Sequence, residues 1–250
     1  MVNSPRTDYE SMAGVYDAGR TYSLDQIAEL RAVLAGYLDK THRVLDLGSG
    51  TGIFAEAIAA WFDVGVVGVE PSGAMRQRAL AKASERVFYL GGEAEHIPLR
   101  DQICDCAWLS TVLHHVRDCA ACARELRRVL RPGARILIRS GFGDRLDGVR
   151  WLRYFPTARK VAAGRWPTVE VTIEIFTAAG FEFEALHPVP EIVAPSLSEY
   201  YERIAVRANS TLTLIDDDEF DQGIERLRQE AAAATATDPV VDRRDLLVLR

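Results

Sequence analysis

The chain has 250 residues, 48% hydrophobic and 26% charged, a balance that fills a real core and excludes a disordered or fibrous protein. Its formal net charge of -6 argues against a surface built to neutralise a nucleic-acid backbone. No run reaches the ~18 apolar residues of a bilayer span. The opening MVNSPRTDYESM carries acids where a signal peptide is apolar, so a cytoplasmic protein without membrane contact is expected.

Residues 1–22 hold Tyr9, Tyr16, Arg20 and Tyr22 without a sustained period. Ser23 and Gln26 then have the spacing of a capping box, and Ile27, Leu30, Leu34 and Leu38 form the apolar stripe of a first helix. Short β-rich runs alternate with helical segments from there on. RVLDL (43–47) precedes a helix with Phe54, Ile58 and Trp61; VGVVGVE (64–70) precedes a helix through Met75; RVFYL follows at 86–90. ICDCAWLS (103–110) leads to a helix that Asp118 can cap, with Leu126, Val129 and Leu130 on one face. After it come the turn RPGA and the strand RILIR (135–139).

Strands apolar on both faces and separated by helices predict a doubly wound α/β fold with a parallel sheet. Beyond residue 140 a helix over 168–179 ends at Gly180, FEFEALHPV (181–189) alternates as an exposed strand, and DLLVLR (245–250) supplies a last one. The expectation is a single domain with a mostly parallel seven-stranded sheet. Residues 1–40 form an N-terminal lid and first helix, 41–140 a cofactor-binding core and 141–189 the rest of the core. Residues 190–244 form a helical cap over the substrate site, and 245–250 the last strand. Two capping signals fall in that cap, Ser196 with Glu199 and Asp216 with Glu219, and its second helix is expected to fray through the Ala/Thr-rich stretch 231–237. The acids 216–219 lack the spaced ligands of a calcium loop and read as a solvated helix start.

Gly48, Gly50 and Gly52 follow the first strand and lead into a helix, the place where an open α/β sheet binds ligands. Gly50, Gly52 and Ala55 alone satisfy a dinucleotide pattern, and two acids discriminate. Asp46, two residues before the first glycine, disfavours a pyrophosphate and suits an ammonium or sulfonium group. Glu70, eighteen residues past Gly52, can accept from both hydroxyls of a ribose. A cationic ribonucleoside without phosphate describes S-adenosylmethionine better than NAD.

VLDLGSGTG, VVGVEPSGAM, YLGGEAEHIPL, ICDCAWLSTVLHHV and ELRRVLRPGARILI, in this order and spacing, resemble the successive motifs of class I S-adenosylmethionine-dependent methyltransferases of the small-molecule branch with an LHH motif. The resemblance covers residues 9–140 and implies the Rossmann-like methyltransferase fold, with S-adenosyl-L-methionine as cofactor and S-adenosyl-L-homocysteine as product. It implies that Asp46 and the loop Gly48 to Gly52 hold the methionine end and that Glu70 holds the ribose. Pro71 and Met75 then pack near the adenine, whose edge Glu93 and the backbone of Ala94 read. Ser110 and Thr111 line the floor, and Tyr16 and Arg20 resemble the family's lid residues. Glu93 stands where the family more often has Asp.

Methyl transfer from a sulfonium is an in-line displacement governed by positioning, and a hydroxyl acceptor also needs a base. His114 and His115 follow the fourth strand; His115 is the first candidate base, and both can equally be pocket wall. His42, His96 and His187 read as structural or solvated. Acceptor contacts are expected from Tyr200, Tyr201, Arg203, Arg207 and Ser210, with Trp151, Tyr154 and Phe155, which suggest an apolar or ring-bearing small molecule. Cys104, Cys106, Cys119 and Cys122 have a zinc-like spacing, but two lie in an apolar strand and no metal is expected. LSTV stands where amino-methylating nucleic-acid enzymes carry NPPY or DPPY. A protein that binds the cofactor without methyl transfer, a cyclase or a regulatory module, is the alternative left open.

Overall fold

The computed structural model describes residues 24–39, 41–234 and 238–250. The expectations for Tyr16, Arg20 and Ser23 lie outside the described residues, as does the end of the Ala/Thr-rich stretch at 235–237.

Seven strands among the described residues form one sheet: β1 (Arg43–Leu47), β2 (Gly65–Val69), β3 (Val87–Leu90), β4 (Cys104–Ser110), β5 (Leu130–Ser140), β6 (Phe183–Ala194) and β7 (Val240–Leu249). Their order is β3-β2-β1-β4-β5-β7-β6. β1 to β5 pair in parallel, and β7 runs antiparallel to both β5 and β6. The doubly wound, mostly parallel seven-stranded architecture is the one expected from the alternation of apolar strands and helices.

Period-two alternation along the strands creates two cores. Leu45, Leu47, Leu109, Ile136, Ile138 and Leu247 pack with α4 (Cys119–Val129) and α6 (Val169–Ala178) on one face. Val44, Val66, Trp108, Leu137 and Leu246 pack on the other with α1 (Ala28–Leu38), entered through a tight turn at Leu24–Ile27, and α2 (Ile53–Phe62). The stripe Leu30, Leu34 and Leu38 is 3% exposed or less, and each such buried side chain contributes about 1.5–3 kcal/mol. The short α3 (Gly73–Leu80) starts where Ser72 Oγ accepts the Met75 amide at 3.3 Å. Asp118 caps α4 in the same way, accepting Ala121 N at 2.9 Å.

β4 contains an irregularity between Cys104 and Cys106. Across it β4 advances two residues while β5 advances five, from Leu130 to Arg135. Asp105, between the two cysteines, turns to the start of β1, where Oδ2 accepts the amides of His42 (3.1 Å) and Arg43 (2.9 Å). The shift in parity sends Cys104 into the core that holds Cys122 and sends Cys106 into the opposite one. The spacing that suggested a ligand pair thus separates the two thiols. No cluster of three or more His, Cys, Asp or Glu side chains suited to a metal occurs among the described residues.

Three boundaries differ from expectation. Leu130 opens β5 and does not belong to the helix before it; the stretch read as the turn RPGA lies within that strand, with Gly133 at φ +76°. A further helix, α5 (Pro156–Arg165), lies between β5 and α6. β6 and β7 also extend into the region assigned to the cap, reaching Ala194 and starting at Val240 instead of 189 and 245. β5 ends its pairing with β7 at Ser140 opposite Asp245, while β6 and β7 continue together to Ala194 opposite Val240. This two-stranded ribbon rises above the carboxyl ends of the parallel strands. Its charges made it resemble a loop, but they are partnered: Asp242 accepts Arg150 N at 3.0 Å and Arg145 Nε donates to Asp245 at 2.7 Å. Pro188 and Pro190 are tolerated because β6 is an edge strand.

The ribbon carries α7 (Leu197–Ala205) and α8 (Asp217–Ala233), which start where the capping signals placed them. Ser196 Oγ accepts Glu199 N at 3.2 Å, and Asp216 Oδ1 accepts Glu219 N at 2.7 Å. Trp151, Leu152, Phe155, Tyr200, Leu212 and Leu227 form a third core joining these helices to the segment after β5. Among the described residues no helix is long and apolar enough to cross a membrane.

Candidate active site

The loop between β1 and α2 turns sharply enough that Gly48, Gly50 and Gly52 have φ of +74°, +54° and +84°. At Gly48 the requirement is also spatial, because a Cβ would lie 2.4 Å from Val112 Cγ2. The loop is tied to the neighbouring strand by Gly48 N, which donates to Val69 O at 2.8 Å. Glu70, at the end of β2 and 7% exposed, accepts Gly50 N on Oε2 and Ser72 N on Oε1, each at 2.9 Å.

Asp46 is 2% exposed, and its Oδ2 meets no hydrogen-bond partner among the described residues. Burial, reinforced by the nearby charge of Glu70 and partly offset by the Ala55 amide, raises its pKa to about 8. A carboxylate held this way favours a cationic ligand, because the positive charge replaces the water it has lost.

A large cavity opens beside this loop, with about 1300 Å³ of space including its mouth. Its wall begins at Asp46, Gly48 and Gly50, continues through Ser110, Thr111 and His114 at the end of β4, and reaches Trp151, Tyr200, Arg203 and Ser210 under the cap. A smaller cavity of about 450 Å³ is lined by Pro71, Glu93, Ala94, Val112 and His115. Gly48 belongs to both walls, so the two spaces meet at the glycine loop.

The cofactor-site residues named from the sequence thus gather around the loop, in three groups. Asp46, Gly48, Gly50, Ser110 and Thr111 border the large cavity, and Pro71, Glu93 and Ala94 the small one, while Glu70 braces the loop between them. Gly52 and Met75 line neither cavity; Met75 is 1% exposed in the interior. Thr111 adopts φ +53°, a strained value where the strand turns towards the histidines.

The two histidines part company. They lie in a 3-10 turn, Leu113–His115, where consecutive side chains point about 120° apart. His115, expected to face the acceptor, lines the smaller cavity, and His114 lines the larger. Their ring centroids are 3.9 Å apart, and His114 lies 5.7 Å from Trp166 on its other side.

Of the expected acceptor contacts, Trp151, Tyr200, Arg203 and Ser210 line the large cavity and four others do not. Tyr201 is partly buried against the cap core. Tyr154 is buried in the cap, its hydroxyl donating to Glu230 at 2.7 Å. Phe155 is fully buried in the same core. Arg207 fastens the chain after α7, donating to Leu212 O at 3.0 Å and Ile215 O at 2.7 Å. Sequence reasoning missed Arg139, Trp166, Asp242 and Arg244, which also line the cavity. Arg139, 3% exposed, is paired through two nitrogens with buried Glu191 and donates to Ser110 Oγ at 2.9 Å. A basic residue at the end of an apolar strand and an acid within the apolar end of the edge strand were the available signal.

Residues 45–138 match the profile of a methyltransferase domain. The 27-O-demethylrifamycin SV methyltransferase of Amycolatopsis mediterranei is 27% identical over 235 residues, covering 88% of this chain and 81% of its own length. A demethylmenaquinone methyltransferase of a Roseiflexus species is 32% identical over 130 residues; the match spans 51% of this chain and 53% of that enzyme. A crystal structure of a protein from Anabaena variabilis assigned as a methyltransferase from an antibiotic biosynthesis pathway superposes with a TM-score of 0.72 at 20% identity, covering 90% of this chain and 99% of the other. That last likeness is one of fold.

Proposed function

We propose that this chain, a class I S-adenosylmethionine-dependent methyltransferase, methylates a small molecule held between the glycine loop and the cap, and that His114 serves as base when the acceptor atom is a hydroxyl. The carrying observation is the continuity of one cavity from Asp46 and Gly48 to His114, Trp151 and Tyr200. The chain's own residues fit the cofactor: the unpartnered oxygen of Asp46 suits a positive charge, and the Glu70 carboxylate, an acceptor of hydrogen bonds, stands at the end of β2 beside the glycine loop. The smaller cavity, with Pro71, Glu93 and Ala94 in its wall, has room for a purine. When bound, S-adenosylmethionine supplies an electrophilic methyl group on sulfur.

What remains for the protein is to align a nucleophile and exclude water. Trp166, Trp151 and Tyr200 give the acceptor an aromatic wall, suited to an apolar or ring-bearing molecule. A hydroxyl, amine or carbon nucleophile could occupy it. For a hydroxyl the departing proton needs an acceptor, and imidazole is the side chain whose ordinary pKa lies nearest the working pH. The 27-O-demethylrifamycin SV and demethylmenaquinone enzymes are named for small-molecule acceptors, which supports the same class here.

Calorimetry with S-adenosylhomocysteine tests the cofactor half; micromolar binding, about -8 kcal/mol, is expected, with none to NAD. Mass spectrometry of hydroxylated and amino aromatic compounds incubated with enzyme and S-adenosylmethionine tests the other half. A product heavier by one methyl is the expected result. Absence of heat with S-adenosylhomocysteine overturns the cofactor assignment.

A further inference from the structure

At the cap end of the cavity the wall changes character. Tyr200 on α7 and Trp151, in the turn that precedes α5, are each 2% exposed, and Arg244 projects from the β6–β7 ribbon with 13% of its side chain exposed. The Tyr200 hydroxyl, the Trp151 indole Nε1 and Arg244 Nε are buried, and none meets a hydrogen-bond partner among the described residues. The two nitrogens can only donate, and the phenol can donate. Native interiors rarely leave one such group without an acceptor, and here three belong to residues of one cavity wall.

Two of the three cations in this wall are ion-paired. Arg244 faces Asp242 at 3.4 Å and Arg139 is held by Glu191, while Arg203 Nη1 donates to the backbone oxygen of Val193 at 2.6 Å. A further carboxylate would add to Asp242, Glu191 and Asp46, whereas a neutral oxygen would satisfy the donors without unbalancing the pairs.

We infer that the cap end is a carbonyl-recognition subsite: the acceptor molecule bears a neutral carbonyl oxygen, apart from the atom that is methylated, which receives hydrogen bonds from Tyr200, Trp151 and Arg244. This rests on the reading of the large cavity as the acceptor site. It refines the apolar or ring-bearing acceptor that the aromatic residues suggested, since the rings at this end also carry unmet donors.

The test uses protein saturated with S-adenosylhomocysteine and three probes on one ring system: 2-acetylnaphthalene, the shape-matched 2-isopropenylnaphthalene and 2-naphthoate. Calorimetry is expected to show the ketone binding at least tenfold more tightly than the other two. Tyr200→Phe or Trp151→Phe should weaken ketone binding about fivefold and leave the alkene unchanged. Thermal unfolding of Tyr200→Phe with S-adenosylhomocysteine bound should occur at the wild-type temperature or above it, because a hydroxyl without a partner is removed. A smaller preference for the ketone, a preference for the carboxylate or no ketone binding overturns the inference, as does a lowered unfolding temperature, which marks the hydroxyl as serving the fold. Should Tyr200→Phe not fold, the same loss in Trp151→Phe decides the matter. Loss of S-adenosylhomocysteine binding in the wild-type protein strikes the cofactor reading instead, and the two failures are told apart by that first titration.

Discussion

The amide of Gly50 donates to Glu70 Oε2 at 2.9 Å, so the acid that ends β2 also holds the shape of the loop that follows β1. The same carboxylate anchors the start of α3 through the amide of Ser72. A group assigned to ribose recognition is therefore a brace for two loops as well.

Replacing Glu70 with Ala removes both braces at once. Hydrogen bonds to a charged group contribute about 1.5–3 kcal/mol each, so S-adenosylhomocysteine affinity should fall by about two orders of magnitude and the ligand-free protein should melt at a lower temperature. Glu70→Gln should restore part of the stability, since its carbonyl oxygen still accepts one amide. Calorimetry and thermal unfolding, run together, separate the two roles.

Asp46 makes binding depend on pH in a particular direction. Its pKa is raised to about 8 in the folded protein, against about 4 in an unfolded chain. The folded state therefore keeps a proton that the unfolded state has lost, and this group's contribution to stability, complete below pH of about 4, is lost as pH rises to about 8. Asp46→Asn should flatten that decline. Binding of a ligand that presents an ammonium group to this carboxylate displaces the proton, so affinity for S-adenosylhomocysteine should rise with pH up to about 8, by at most about tenfold per unit. Proton release, measured by calorimetry in buffers of different ionisation enthalpy, should disappear in Asp46→Asn.

His114 and His115 should separate kinetically. Loss of a general base lowers turnover by about 10²–10⁴, and His114→Ala should show this together with loss of the acidic limb of the pH profile for a hydroxyl acceptor. His115→Ala, on the smaller cavity, should raise KM for S-adenosylmethionine and leave the profile in place. The reverse pattern returns the role of base to His115.

Arg139 and Glu191 form a fully buried pair beneath Ser110. Removing only the acid, as in Glu191→Ala, leaves a buried guanidinium uncompensated and should cost about 3–5 kcal/mol. The double variant Arg139→Met with Glu191→Met should recover most of that stability in denaturant titrations. Turnover should remain impaired, because Ser110 loses its anchor.

The sequence made the cofactor half legible because its signals are local. Apolar strands, capping residues such as Asp118 and Ser196, and glycines forced to positive φ all act within a few residues of where they stand. What stayed hidden depends on partners far along the chain. Asp242 and Asp245 look like loop residues until the amide of Arg150 and the guanidinium of Arg145, about a hundred positions earlier, are seen to bond them. Arg139 looked like the polar end of a strand because Glu191 lies fifty-two residues away. The exchange between His114 and His115 turns on the choice of a tight 3-10 turn over a strand or α-helix, which spacing alone does not specify.

The position of β7 between β5 and β6 also sets an order of assembly. β6 pairs with β7 alone and sits at the sheet's edge, so β6 has no strand to dock on until 240–249 have inserted beside β5. The five parallel strands can assemble from the preceding chain, whereas the roof over the large cavity waits for this long-range insertion. Pairings of such sequence separation are slow to form, so the cofactor half should gain its protection against hydrogen exchange first, with α7 and α8 following as one cooperative step.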